Sequence, residues 1–109
     1  MTTITVLYKG ASIIGFRAKG HAGYAEHGED IVCAAVSAIT QTALIGITEN
    51  ISCPCSVDIS DGRLELMIED STQAETREKA ELILGVMLSG LRSIESQYDN
   101  YLKVKKKEV

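Results

Sequence analysis

Residues Gly20 to Ser37 read GHAGYAEHGEDIVCAAVS, and the chain changes its periodicity inside this stretch. A glycine-flanked His21 is followed by a polar segment with Gly23, Tyr24, Glu26, His27, Gly28 and Glu29. Asp30 then precedes a run of small apolar residues whose third member is Cys33. An aspartate directly before such a run is a helix N-cap, because its carboxylate can accept from backbone N–H groups that have no partner within the first turn. A helix is therefore expected from Ile31 to about Glu49. Its apolar residues lie on two sides, with Val32, Ala35, Val36, Ile39, Ala43 and Ile47 on one and Ile31, Ala34, Ala38 and Ile45 on the other. A helix of this kind must be covered twice, on one side by a sheet and on the other by a second helix or a partner subunit.

Upstream, Ile4, Val6 and Tyr8 alternate with Thr3 and Thr5, and Ile14, Phe16 and Ala18 alternate after the turn at Lys9–Ser12. Period two in β-branched and aromatic residues argues two half-buried strands joined as a hairpin, with His21 just past its end. Downstream, Ser52 to Ser56 with Pro54 ends the helix, and Val57 and Ile59 lead to Asp61-Gly62, a strong hairpin signal. Leu64, Leu66 and Ile68 form the return strand. Thr72-x-x-Glu75 reads as a capping box for a second helix that buries Ala80, Leu84, Met87, Leu91, Ile94 and Tyr98. Leu102 and Val104 among lysines read as a fifth, C-terminal edge strand. The expected fold is a two-layer α+β domain spanning residues 1–109, a mainly antiparallel sheet of two hairpins carrying two helices, in the order ββαββα(β).

The bulk composition bounds the function. Hydrophobic residues make up 45% of 109, enough for one core. With Lys+Arg 11 against Asp+Glu 15 and a net charge of −4, the chain is a poor candidate for non-specific nucleic-acid binding. Lys103 to Lys107 is a short basic run better read as an exposed tail or edge, so no nucleic-acid partner is expected. The N-terminus lacks a signal-peptide pattern, and no uninterrupted apolar segment approaches the ~20 residues of a membrane span. A cytoplasmic location without membrane contact, and free thiols for the three cysteines, are the expectations.

The chemistry concentrates in the opening stretch. A thiol at the start of a helix faces unpaired N–H groups and the positive end of the helix dipole, which favour a negative charge. His21 is placed to fold back over that helix start and move the thiol proton, while His27 competes for the same part from mid-loop. The competing reading makes Cys33 a small core residue and His21 a loop residue. Asp30 has two candidate roles, helix cap and orienter of His21, and Ser37 lies one turn beyond Cys33 on the same face. Cys53-Pro54-Cys55 lacks a second ligand pair for structural zinc and the two-residue spacing of a redox motif. Glu26, Glu29 and Asp30 read as a solvated acidic loop. No metal and no cofactor is expected.

G-H-A-G-Y-A, a polar loop and G-x-D-I-V-C-A-A-V-S together resemble the ribosomal-processing cysteine proteases called Prp. The hairpins and C-terminal helix extend the resemblance over nearly the whole chain, and Cys53-Pro54-Cys55 departs from the pattern. The resemblance implies a cysteine endopeptidase that removes a short N-terminal extension from large-subunit ribosomal protein twenty-seven. It implies His21 as general base and Cys33 as nucleophile, with Gly20, Asp30 and Ser37 supporting. It also implies a homodimer, and a short substrate segment with aromatic residues over which the loop of Gly23, Tyr24 and Gly28 closes. A non-catalytic, dimeric, ribosome-associated peptide-binding module is the alternative reading.

Overall fold

The computed structural model describes residues 1–26 and 29–109; the readings placed on His27 and Gly28 lie outside the described residues. The strands are β1 (Thr2–Lys9), β2 (Ser12–Lys19), β3 (Cys55–Ser60), β4 (Arg63–Ile68) and β5 (Leu102–Glu108). The helices are α1 (Ile31–Ile45) and α2 (Ala74–Gln97), giving the order ββαββαβ. The strands form one five-stranded sheet ordered β3-β4-β2-β1-β5. Three of its pairings are antiparallel; the fourth, β1 with β5, is parallel, because α2 carries the chain back along the sheet before β5 begins.

One face of the sheet carries Ile4, Val6, Phe16, Leu64, Leu66, Leu102 and Val104, all buried, and packs with Val32, Val36, Ala43, Leu84, Met87 and Leu91 of the helices into a single core. Burying the side chain of Phe16 or Leu66, each fully enclosed, contributes roughly 1.5–3 kcal/mol. The alternation expected for β1 holds through Val6. At its end the β1–β2 register slips between Leu7 and Tyr8, so Leu7 on the opposite face is also buried and Tyr8 is only half-buried, beneath the Lys106 ammonium.

Two local expectations are corrected. The first helix is α-helical only to Ile45, and Gly46–Asn50 winds on as a π-helical turn. Together they form a 20-residue segment of mean hydropathy 1.8, long and apolar enough by composition to cross a bilayer, although Ser37, Thr40, Gln41, Thr42, Thr48 and Glu49 interrupt its apolar run. Val32, Val36, Thr40, Ala43 and Ile47 are buried in the domain core, so the segment is the central helix of this fold. Last, Thr72 does not cap α2: the helix begins one residue later, with Gln73 at the N-cap position and no side-chain cap bond. Thr72 is buried instead, its hydroxyl beside the Cys53 thiol, and Glu75 faces solvent and pairs with Lys79. The tertiary demand on Thr72 overrides its local capping preference.

Candidate active site

Gly20 ends β2 with φ +89, and its N–H donates to the carbonyl of Gly62 at 2.8 Å. A methyl group here would lie 2.6 Å from the Met1 carbonyl oxygen, so only glycine allows both the left-handed turn and the close approach of the N-terminal backbone. This turn delivers His21 to the β3–β4 hairpin. Its imidazole lies against Gly62 so closely that a Cβ on Gly62 would stand 3.2 Å from Nε2. Gly62 has φ +68, as the second residue of an Asp-Gly turn requires. The hairpin is stiffened by Arg63, which donates to Asp58 at 3.1 Å and to Glu65 at 2.8 Å, while Arg17 Nε donates to Glu65 at 2.8 Å. The Arg17 hydrogen bond, against opposing burial and with the charges of Arg17 and Arg63, holds the Glu65 carboxyl below its ordinary value.

Asp30 is the N-cap of α1. Its Oδ1 accepts from the Cys33 N–H at 2.9 Å, and its Oδ2 from Tyr24 N–H at 2.9 Å and Ala25 N–H at 3.3 Å. Burial of Asp30 opposes ionisation, yet the backbone donors of Cys33, Ala25, Tyr24 and Val32 outweigh it and hold the carboxyl below its ordinary value. The two candidate roles of Asp30 are thus weighted by geometry: both oxygens serve as cap and loop anchor. The Ala34 N–H is also taken, by the Asp30 carbonyl at 3.0 Å. Tyr24 stacks edge-on against Tyr98 and Tyr101, with ring centroids 5.7 and 5.1 Å away. The described part of the loop is therefore tied to the end of α2. Gly23 stands exposed with φ +75.

These placements bring Gly20, His21, Cys33 and Ser37 to the wall of one cavity of about 310 Å³. Cys33 is half-buried there, at the start of α1, and Ser37 sits one turn further on. Strand end and helix start thus open into the same space, and His21 and Cys33 both line it. Val36, Gln41, Leu44 and Ile45 of α1 and Ile59, Ser60, Gly62 and Arg63 of the hairpin also line it. Sequence reasoning did not assign these residues to the site. Asp61-Gly62 was legible as a turn, but nothing local says that the turn meets His21.

Cys53 and Cys55 stand at the other end of α1. Burial pushes the Cys53 thiol up, against the nearby Thr72 hydroxyl and Arg77, and burial likewise raises Cys55, with Cys53 and Glu69 adding to it. Among the described residues no group of three His, Cys, Asp or Glu is placed to hold a metal ion.

The family model of cysteine protease Prp matches residues 1–103. The ribosomal processing cysteine protease Prp of Bacillus subtilis is 34% identical over 94 residues, covering 84% of each chain. A crystal structure of the essential ribosomal processing protease Prp from S. aureus, with a covalently linked product peptide, superposes with a TM-score of 0.86 at 26% identity, covering 98% of this chain and 100% of that one. The same protease with a substrate peptide gives a TM-score of 0.82. With its ββαββαβ scaffold, and with a helix-start thiol and a strand-end imidazole lining one cavity, the chain belongs to the Prp family of ribosomal processing cysteine proteases.

Proposed function

We propose that the protein is a cytoplasmic endopeptidase that removes the short N-terminal extension of large-subunit ribosomal protein twenty-seven, with Cys33 as nucleophile and His21 as general base. The observation that carries this reading is the shared cavity: Cys33 at a capped helix start and His21 at a strand end open into it together. His21 takes the thiol proton, Sγ attacks the scissile carbonyl, and the tetrahedral intermediate collapses to a thioester as His21 protonates the leaving amine. His21 then deprotonates water, which hydrolyses the thioester and frees the thiol. The N–H groups of Cys33 and Ala34 are engaged by Asp30, so they do not serve as oxyanion donors while the cap holds.

The substrate path is supported by β3, an edge strand whose outer backbone is unpaired in the sheet. Val57 and Ile59 lie along it 40% and 67% exposed, and Ile59 and Ser60 continue into the cavity wall. An extended peptide can add to this edge through main-chain hydrogen bonds, with its side chains against Val57 and Ile59. The S. aureus complexes with substrate and product peptides support a peptide ligand.

A second copy of the chain is the proposed cover for the outer side of α1. There Ala38, Ile39 and Ile45 face Leu82, Val86 and Met87 across an apolar groove of about 830 Å³, with Leu82 69% and Val86 65% exposed. A Val86→Glu substitution is expected to shift the sedimentation coefficient to that of a monomer.

The catalytic reading is tested by incubating a peptide spanning the extension with wild type, Cys33→Ala and His21→Ala. Cleavage by wild type alone is expected; equal cleavage by all three would sink the proposal.

A further inference from the structure

The sheet has two faces, and the helices cover one. On the other, strand register places cations from distant parts of the chain in rows. Thr3 pairs with Lys19 on β2 and with Lys103 on β5, and Thr5 pairs with Arg17 and Lys105 in the same way. Lys107, paired with Leu7, extends the pattern. Strands ~4.8 Å apart and same-face residues ~6.6 Å apart make these rows a lattice of lysine ammonium groups, with threonine hydroxyls and the Glu65-paired Arg17 between. Thr3, Thr5, Arg17, Lys19 and Lys105 line a shallow depression of about 500 Å³.

The carboxylates of this face, Asp58 and Glu65, are held by Arg63 and Arg17. Among the described residues, Lys19, Lys103, Lys105 and Lys107 make no ion pair. Protection of the β5 edge accounts for lysines on β5. It does not account for Lys19, which lies on β2, between β4 and β1. The net charge of −4 therefore conceals a segregated distribution, in which Lys19 joins the Lys103–Lys107 run across the sheet.

We propose that this helix-free face docks on the phosphate backbone of RNA, so that the protease meets its substrate beside ribosomal RNA; this occupant rests on the reading that the substrate is a ribosomal protein. A regular array of ammonium and hydroxyl donors fits a regularly repeating polyanion. These rows carry no aromatic side chain, so the contact is to phosphates and is independent of sequence. Leu7 amid these rows is 2% exposed, and Met1, 57% exposed, borders the depression as a single apolar side chain, less than a bilayer-inserting surface needs.

The test is fluorescence-anisotropy titration of a labelled RNA hairpin with the full chain between about 50 and 200 mM salt. Wild type is expected to bind with a log–log salt slope of about −3 to −4. The combined Lys103→Gln, Lys105→Gln and Lys107→Gln variant is expected to lose about 2–3 of that slope and on the order of 10- to 100-fold in affinity. The corresponding triple arginine variant keeps binding, and a Lys79→Gln, Arg92→Gln control on α2 binds like wild type. No binding by wild type at the lowest salt, unchanged binding by the triple glutamine variant, or equal binding to phosphatidylserine vesicles or polyglutamate overturns the proposal. Cleavage of the free extension peptide by the triple glutamine variant is expected to match wild type. Wild type that cleaves the peptide but binds no RNA removes only the docking face, and wild type that binds RNA but cleaves no peptide removes only the protease reading.

Discussion

Cys33 and Cys53 sit near opposite ends of the same helix and meet opposite environments. Cys33 lies where N–H groups point outward; its own is capped by Asp30 and its side chain lines the cavity shared with His21. Cys53 follows the π-helical turn at the C-terminal end, its N–H donating to the Ile47 carbonyl at 2.9 Å and its thiol 3.7 Å from the Pro54 carbonyl. It is 4% exposed, and burial raises its thiol. The helix dipole favours an anion at the first place and opposes one at the second. The surroundings of a cysteine in this fold thus differ with the end of α1 it occupies, one lining a cavity together with an imidazole and the other buried.

The largest effect expected from breaking this contrast is on turnover. Cys33→Ala should lower cleavage of the extension peptide by more than about 10³-fold without changing the melting temperature. Cys53→Ala should leave cleavage within about twofold and cost roughly 1–2 kcal/mol in denaturant unfolding, because it opens a small void in the core. Comparable losses of activity in both variants would erase the distinction.

Gly62→Ala comes next. It forces an alanine into a left-handed conformation, at about 1–2 kcal/mol, and sets its methyl against the His21 ring. A displacement of His21 of this kind should reduce cleavage by on the order of 10- to 100-fold, measured as kcat at saturating peptide. An unchanged kcat would show that His21 is not positioned by the hairpin.

Thiol labelling sharpens the contrast more gently. With iodoacetamide, one fast-reacting thiol is expected in the folded protein, and it should vanish in Cys33→Ala. Cys53 and Cys55, raised from the ordinary value of 9.0, should react slowly below that pH until denaturant exposes them.

The smallest effect concerns Asp30. Its folded carboxyl titrates below the ordinary value of 3.8, so its stabilisation is fully present above that pH and is lost as pH falls through the folded value. Asp30→Ala should therefore melt below wild type at neutral pH, with the gap narrowing in acid under about pH 3.8. A gap independent of pH would mean that the charge of the cap contributes nothing.

Much of this molecule was readable along the chain. The alternation of Ile4 and Val6, the Asp61-Gly62 turn and the Asp30 cap each depend on residues within a few positions of one another, so short-range stereochemistry specifies them. The same local reasoning failed at Thr72, where a correct capping pattern was outweighed by burial behind the sheet.

His21 and Cys33 could be singled out by residue type and by their places at a strand end and a helix start. Their meeting could not, because it depends on how α1 lies across the sheet. The contact of Gly62 with His21, the parallel seat of β5 beside β1 and the rows that join Lys19 to Lys103 are likewise products of packing. Such contacts join segments far apart in the chain, and each forms only once the core brings those segments together, so no local pattern encodes them. The sequence by itself determined the elements and singled out His21 and Cys33; the tertiary structure decided what surrounds them, which cysteine lines the cavity and which is buried, and where the charge collects.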